Sequence, residues 1–323
     1  MSDSKGKGCV LCGHENIHKI RRYNPQRGGF RKAYVGQCTA CKLIQVTPIP
    51  SSEQLYTYYA ESYRSQGTIG HTERQSTVRQ LSQTAFIEES LKGCSFTPKS
   101  ILDVGAGHGQ ILRCLAKKYP NASLYATEVD NACCKELADR GIETKQVILD
   151  DLENSPFDTK FDLIVCSHVL EHAKNPKKFL THISELLAPE GWAMIEVPNC
   201  GVPYSYGADA PHLTFFTDNS FRNALTISGM DVVKLLIGGI SAAEYVVVPT
   251  VKTLVLDAVK AWLAYSPLPE GALESMKGVY RVIRGRTHTT TEFANRKERL
   301  ENLYHTAFFD GAEDGTFLRA MVS

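Results

Sequence analysis

Residues 101–112, ILDVGAGHGQIL, leave this chain few choices of fold. A short apolar run enters the stretch, three glycines turn it, and an amphipathic run with Leu112, Leu115 and Ala116 leaves it. That is the pattern of strand, tight loop and helix. Glycine suits such a loop because φ > 0 is cheap without a Cβ and because a side chain would hold a ligand away from the backbone. A loop of this kind is expected to present backbone N–H groups to its ligand. The dinucleotide fingerprint places its third glycine three residues after the second. Here Gly109 follows Gly107 by two, which favours a different nucleotide-like ligand.

The chain repeats the alternation downstream. Residues 124–128 form a second short strand that ends in Glu128, 25 positions after Asp103, where a carboxylate can accept both hydroxyls of a ribose. A third apolar run, 147–149, precedes Asp150, Asp151, Leu152 and Glu153. Residues 161–165 make a fourth strand leading into Ser167, His168, Glu171 and His172, and residues 192–197 a fifth ending in Pro198 and Asn199. A sixth is expected over 231–237 and a seventh over 315–322. The string Asp103-x-Gly105-x-Gly107-x-Gly109 resembles the first motif of class I S-adenosylmethionine (SAM) methyltransferases, and the order and spacing of the strands are similar to that family over about residues 99–240. The resemblance implies an α/β, Rossmann-like sheet of seven strands, the last antiparallel. It further implies SAM binding by Asp103, Gly105, Gly107, Gly109 and Glu128, with Asp151 and Leu152 at the adenine and Ser167 and His168 beside the cofactor.

Cys9-x-x-Cys12 and Cys38-x-x-Cys41 bracket 25 residues near the start. Two such knuckles can set four thiolates at the corners of one tetrahedron, the geometry of closed, structural Zn2+ sites. Gly13 and Lys42 follow the knuckles where a tight turn points amides at sulfur. Residues 1–50 are therefore expected to be a zinc ribbon. Residues 1–45 carry nine Lys or Arg against Asp3 and Glu15, a surplus of seven. That surplus suits a solvated hairpin, a clamp for a substrate phosphate or a patch for RNA.

A cover segment is expected over 51–98. Its aromatic cluster, 55–65, resembles the tyrosine-bearing segment of zinc-containing sugar C-methyltransferases of polysaccharide and antibiotic biosynthesis, which implies that Tyr59 and Tyr63 line the acceptor site. Val78, Leu81 and Ala85 recur at helical spacing and are expected to face the sheet. His168-x-x-Glu171-His172 spells a peptidase-like string, but its place after a strand of a nucleotide-binding sheet fits the methyltransferase context better. Small-RNA 2′-O-methyltransferases use a related Glu-x-x-Glu-His with a later His to hold magnesium. His168 stands here in place of the first Glu, at odds with an oxygen-rich magnesium site. Fixing the strand-to-helix turn is the simplest role for Glu171 and His172. Both join His212 and Tyr63 as catalytic candidates. In the sugar enzymes a Glu-His pair sits over the active site with His as the proposed base; His212 matches, and Pro211 replaces the Glu.

The core is expected over 99–239, a helical insertion over 240–312 and the final strand over 313–323. Within the insertion Val251, Leu254, Val255, Ala258, Val259, Trp262 and Leu263 follow the amphipathic helical rule. At 323 residues and 43% apolar the chain can bury an α/β core with accessory modules, and its net charge of +1 announces no global nucleic-acid binder. Residues 1–8 are polar with no apolar h-region, residues 240–265 are broken by charges and prolines, and the ten cysteines form no disulfide framework. A cytoplasmic protein with no signal peptide or membrane span is the expectation. The function expected is SAM-dependent methyl transfer to a small polar acceptor, with a nucleotide-linked or phosphorylated sugar implied by the resemblance. The alternatives are a zinc-ribbon RNA methyltransferase and a non-catalytic SAM-binding protein.

Overall fold

The computed structural model describes residues 8–23, 33–57, 73–147, 157–201, 212–239 and 315–323. Two sheets organise them. The smaller begins with β1 (Ile17–Arg22), β2 (Tyr34–Cys38) and β3 (Ile44–Thr47), an antiparallel meander, and is followed by α1 (Ser52–Thr57) and α2 (Glu73–Ser90). The larger takes β4 (Ser100–Val104), β5 (Ser123–Glu128), β6 (Glu143–Gln146), β7 (Phe161–Ser167) and β8 (Leu187–Pro198), joined by α3 (Gln110–Lys118), α4 (Asn131–Asp139) and α5 (Pro176–Leu186). Then come β9 (Thr214–Phe215), α6 (Asp218–Ile227), β10 (Val232–Gly238) and β11 (Phe317–Val322).

The strand order of the larger sheet is β10-β11-β8-β7-β4-β5-β6, with β11 antiparallel between β10 and β8 and the remaining pairs parallel. This is the seven-stranded Rossmann-like arrangement expected from the sequence. Its crossover point lies between β4 and β7, whose carboxyl ends are the usual place for a ligand in such sheets. Both faces are covered by helices, so the central strands read as near-continuous apolar runs: Leu163, Ile164, Val165 and Cys166 in β7 are all fully buried. Among the described residues no helix is long and apolar enough to cross a membrane.

Two local expectations need correction. The third strand of the core is β6, four residues before the apolar run at 147–149, and its residues are half-buried or exposed. Among the described residues it pairs only with β5, and an edge strand needs no apolar sequence on both sides. On α2, Leu81 is 49% exposed, while Ser82, Gln83, Phe86 and Ile87 are buried. The helix turns a partly polar face inward because charged groups of the sheet meet it there. In α6, Phe221 and Leu225 are buried but Ile227 is exposed, and Thr217 supplies the N-cap through a capping box with Ser220. The amphipathic run 251–263 lies outside the described residues.

The charged groups facing α2 are Glu196 of β8 and Arg319 of β11, both with no exposed surface. Arg319 Nε donates to Glu196 Oε2 at 2.6 Å with Nη2 2.5 Å from the same oxygen, Nη2 donates to Ser82 Oγ at 3.2 Å and Nη1 to the Ser82 carbonyl at 3.1 Å, and the guanidinium lies 4.6 Å from the Phe317 ring centroid. Glu196 Oε1 accepts from Arg79 Nη2 at 2.7 Å, Gln83 Nε2 at 3.1 Å and Ser167 Oγ at 3.2 Å. Burial would raise the Glu196 carboxyl, but Arg319 and then Arg79 outweigh it and hold it at about 2. Breaking such a pair from one side leaves a buried charge and typically costs ~3–5 kcal/mol. Arg319→Ala is therefore expected to destabilise the chain by about that much in urea unfolding, and a loss under ~1 kcal/mol would refute the role given to the pair. Because the folded value lies below the ordinary 4.5, the contribution is complete above pH 4.5 and fades as pH falls toward 2.

Candidate active site

The glycine loop joins β4 to α3, and Gly105, Gly107 and Gly109 all have positive φ, at 73°, 52° and 65°. A Cβ on Gly105 would stand 2.5 Å from Val169 Cγ2, and one on Gly109 would stand 2.5 Å from Leu137 Cδ2, so these two glycines let neighbouring segments close in. At Gly107 nothing lies within 4 Å, and that open side is where a ligand can reach the backbone. The amides behave differently from the sequence expectation. Gly105 and Ala106 N–H both donate to the Thr127 carbonyl, Gly109 N–H to the Ala106 carbonyl, and Gly107 N–H to Glu128 Oε2 at 2.8 Å. These amides shape the loop, so close approach is the glycines' contribution to a ligand.

Glu128 sits at the carboxyl end of β5, where Oε1 also accepts from the Val129 and Asp130 amides at 2.8 and 2.9 Å. Those bonds aim the carboxylate, using both acceptor directions of Oε1 and one of Oε2, so that Oε2 keeps one for a ribose hydroxyl. Asp103, on the neighbouring strand, is 3% exposed, and burial, with the charge of Glu128 adding to it, pushes its carboxyl up to about 8. A buried acid beside a carboxylate is a poor place for another anion and a good one for a cation. The residues fit SAM in both respects, since it carries a ribose and a positively charged methionine portion.

Across the sheet, β7 ends in Ser167, and the chain turns sharply at His168, whose φ is 56°. The His168 amide donates to the Glu196 carbonyl, its Nε2 lies 3.3 Å from Glu196 Oε1, and its Nδ1 lies 3.5 Å from Glu171 Oε1. Leu170–His172 form a single 3-10 turn. Glu171 is 1% exposed, and neither of its carboxylate oxygens has a hydrogen-bond partner among the described residues. Its side chain points into a cluster of imidazoles, one of which is His168 of the turn itself. His172 Nε2 is 4.0 Å and His212 Nε2 3.9 Å from Glu171 Oε1, and the two rings meet edge-on at 4.7 Å.

His212 is placed by the ribbon. Strand β3 pairs with β9, so the small sheet runs on into the segment just after His212. Val46 N–H donates to the Leu213 carbonyl, Leu213 N–H to the Glu171 carbonyl, and the Tyr23 hydroxyl to the His212 carbonyl at 2.9 Å. The four cysteines at the far end of this sheet converge: Cys9 and Cys41 sulfurs are 3.4 Å apart, Cys12 and Cys38 sulfurs 3.6 Å. A tetrahedral ion with bonds of ~2.3 Å would separate its sulfurs by ~3.8 Å, so the cluster fits Zn2+. Gly13 and Lys42 both take the left-handed conformation, and their amides close the knuckles onto the Cys9 and Cys38 carbonyls. Cys12 is exposed, so the cluster is less closed than the spacing suggested.

Residues 73–235 match the family described as a methyltransferase domain. The chain belongs to this family. The match covers β4 to β8 with the glycine loop and the imidazole cluster, ends within β10 and stops short of β11, so this part of the chain is a class I SAM-dependent methyltransferase domain. Among similar proteins, methyltransferase str3 of Strobilurus tenacellus is 34% identical over 100 residues, 31% of this chain and 35% of its own length. Pavine N-methyltransferase of Thalictrum flavum subsp. glaucum is 29% identical over 117 residues, 33% of this chain and 31% of its own. The ubiquinone biosynthesis O-methyltransferase of Rickettsia typhi is 30% identical over 103 residues, 31% of this chain and 41% of its own. The chain thus spans about a third of the length of the curated relatives it matches. The crystal structure of the plantazolicin methyltransferase BamL with a triazolic desmethylPZN analog and SAH is similar at 13% identity and a TM-score of 0.44, over 84% of this chain and 90% of that one.

Within the methyltransferase domain the structure brings Asp103, the three glycines and Glu128 to one edge, and Ser167, His168, Glu171, His172 and His212 to the adjoining one. Asp151, Leu152, Tyr59 and Tyr63 lie outside the described residues. Sequence reasoning missed Arg79, Gln83, Glu196 and Arg319, although lone charges inside the apolar runs Ile195-Glu196-Val197 and Leu318-Arg319-Ala320 were a readable sign of a buried pair.

Two outcomes are expected at this edge. Glu128→Ala should weaken SAM binding by about 1.5–3 kcal/mol in calorimetry, the worth of charge-assisted hydrogen bonds, and unchanged affinity would remove Glu128 from the ribose. Below pH 8 the unliganded Asp103 is protonated, and a cationic cofactor must displace that proton. SAM affinity is then expected to rise between pH 6.5 and 8.5, by up to tenfold per unit below the Asp103 value, and Asp103→Asn should flatten the profile. The sign for folding is opposite. The folded chain keeps a proton that the unfolded chain loses, so this group's contribution to stability falls as pH rises from 3.8 toward 8.

Proposed function

We propose that the protein is a SAM-dependent methyltransferase of a small polar acceptor, with a nucleotide-linked or phosphorylated sugar as the acceptor class. One observation carries the catalytic reading: Gly105 packs against Val169, two residues before Glu171, so the cofactor loop and the imidazole cluster share a wall. Names of similar proteins such as pavine N-methyltransferase and ubiquinone biosynthesis O-methyltransferase support a small acceptor. The basic surplus of residues 1–45 supports a phosphorylated one.

In this reading SAM supplies a methyl group on a sulfonium. A lone pair of the acceptor forms the new bond to carbon while the carbon–sulfur pair moves to sulfur, which loses its charge. His212 takes the acceptor proton at Nε2, and the Glu171 carboxylate 3.9 Å away stabilises the imidazolium. Holding acceptor and methyl in line while water is excluded is worth up to ~7–11 kcal/mol of barrier in well-oriented cases. Tyr63 and the 51–98 and 240–312 segments are assigned to acceptor orientation and cover. The four-cysteine cluster is read as a structural Zn2+ site that holds β3, and through β9 holds His212.

The test is incubation of the protein with methyl-labelled SAM and a cell extract fractionated into RNA, protein and small molecules. Label among small molecules is the expected result; label in RNA would replace the acceptor class, and no label with SAM bound would refute catalysis on these acceptors. Substituting Cys41 by Ser should lower turnover with little change in SAM affinity, because the damage reaches His212 through β3 and β9 and not the glycine loop. An equal fall in SAM affinity would contradict that route.

A further inference from the structure

Glu171 lacks a counter-charge held by hydrogen bonds, and that is the least explained feature of the described residues. Its carboxylate is 1% exposed, both oxygens lack hydrogen-bond partners among the described residues, and the imidazoles of His168, His172 and His212 lie within 4.0 Å of Oε1. Isolated buried carboxylates are unstable arrangements unless a cation completes them. The donor atoms of Glu171, His172 and His212 lie within 4.8 Å of one another, and the two histidines retain 18% and 16% side-chain exposure. A bound ion with ligand distances of ~2.0–2.2 Å draws donors to ~3–3.5 Å apart, a closure of about 1 Å or less from the 4.0 and 3.9 Å carboxylate–imidazole distances and of at most about 1.8 Å between any two donors.

We propose that Glu171, His172 and His212 form a binding site for a divalent first-row transition ion. One carboxylate and two imidazoles favour zinc, cobalt, iron or manganese over magnesium or calcium, which take oxygen-rich sets. Three protein ligands with an exposed side leave coordination positions open, as in ions that act on substrates and unlike the four-cysteine cluster. His168 is the supporting group. Its Nε2 stays with Glu196 and its Nδ1 faces Glu171, so it orients the carboxylate from behind. The role of the ion in transfer rests on the methyltransferase reading: with His212 Nε2 engaged as a ligand, Lewis acidity replaces the imidazole as the means of losing the acceptor proton, which then passes to solvent. Binding of the ion does not rest on that reading.

The experiment is a Co2+ titration of the full chain after one equivalent of Zn2+ has filled the cysteine cluster. A second equivalent is expected, with weak visible bands and no thiolate charge-transfer absorption, and a large excess of Mg2+ should not displace it. Glu171→Gln and His212→Asn should each weaken that equivalent by at least ~tenfold, while Glu128→Ala leaves it intact. SAM calorimetry on the same samples reports whether each variant is folded. Absence of a second equivalent, or equal binding in Glu171→Gln and His212→Asn, overturns the ion site even if SAM binds. A second equivalent in a chain that binds no SAM supports the ion site and refutes the methyltransferase reading.

Discussion

The buried carboxylate of Glu196 is the interaction on which the rest of the domain depends. It sits in the middle of β8 and collects Arg319 from the last strand and Arg79 and Gln83 from α2. Its backbone carbonyl, meanwhile, holds the amide of His168. Three separate parts of the sequence are thereby fixed to one residue. An apolar pair of similar size in place of both Glu196 and Arg319 could pack there at equal or better stability. What it could not do is set the direction of the His168 imidazole, and with it the entrance to the turn that carries Glu171.

The ribbon is fixed to the same edge by backbone pairing. A separate N-terminal module would show its own closed sheet, whereas β3 leaves an edge that β9 takes up. The two-residue strand is short, but the Tyr23 hydroxyl and the Val46 amide flank it and hold the chain on either side of His212. The position of a histidine in the domain is in this way set by a sheet whose hydrophobic cluster, including Val35, Val46 and Phe215, is largely that of the ribbon. Any change in the four-cysteine cluster is transmitted along β2 and β3, a few residues of stiff antiparallel sheet.

Much of this was legible in the sequence because each piece answers to a local rule. The glycine loop needs positive φ, the parallel core needs continuous apolar runs, and two knuckles need a tight turn after each pair. The arrangement of the strands was implied by the resemblance to class I methyltransferases. What was not legible depends on partners distant in sequence. Strand β6 escaped notice because an edge strand needs no apolar face, and on α2, where Val78 is buried as expected, the polar part of the inward face was missed because Leu81 scores as core while Ser82 and Gln83 do not. Their burial makes sense only once Arg319, 237 residues from Ser82, is known to lie beneath the helix. The role of the loop amides was misjudged for a similar reason: Thr127 and Glu128 consume them from a neighbouring strand.

Two acids of the site, Asp103 and Glu171, are buried without a cationic side chain hydrogen-bonded to either among the described residues. They lie on opposite sides of the contact between Gly105 and Val169, one at the cofactor edge and one at the imidazole cluster. Asp103 meets the lack by holding a proton up to about pH 8, and Glu171 by facing three imidazoles. Evolution toward stability alone would remove both acids, since each can be replaced by a neutral residue of nearly the same shape. Their presence makes sense if the missing positive charge is brought by what binds: a cationic cofactor on one side, an ion or a protonated base on the other. The methyl group would then cross between two sites whose burial strengthens every charge interaction made there.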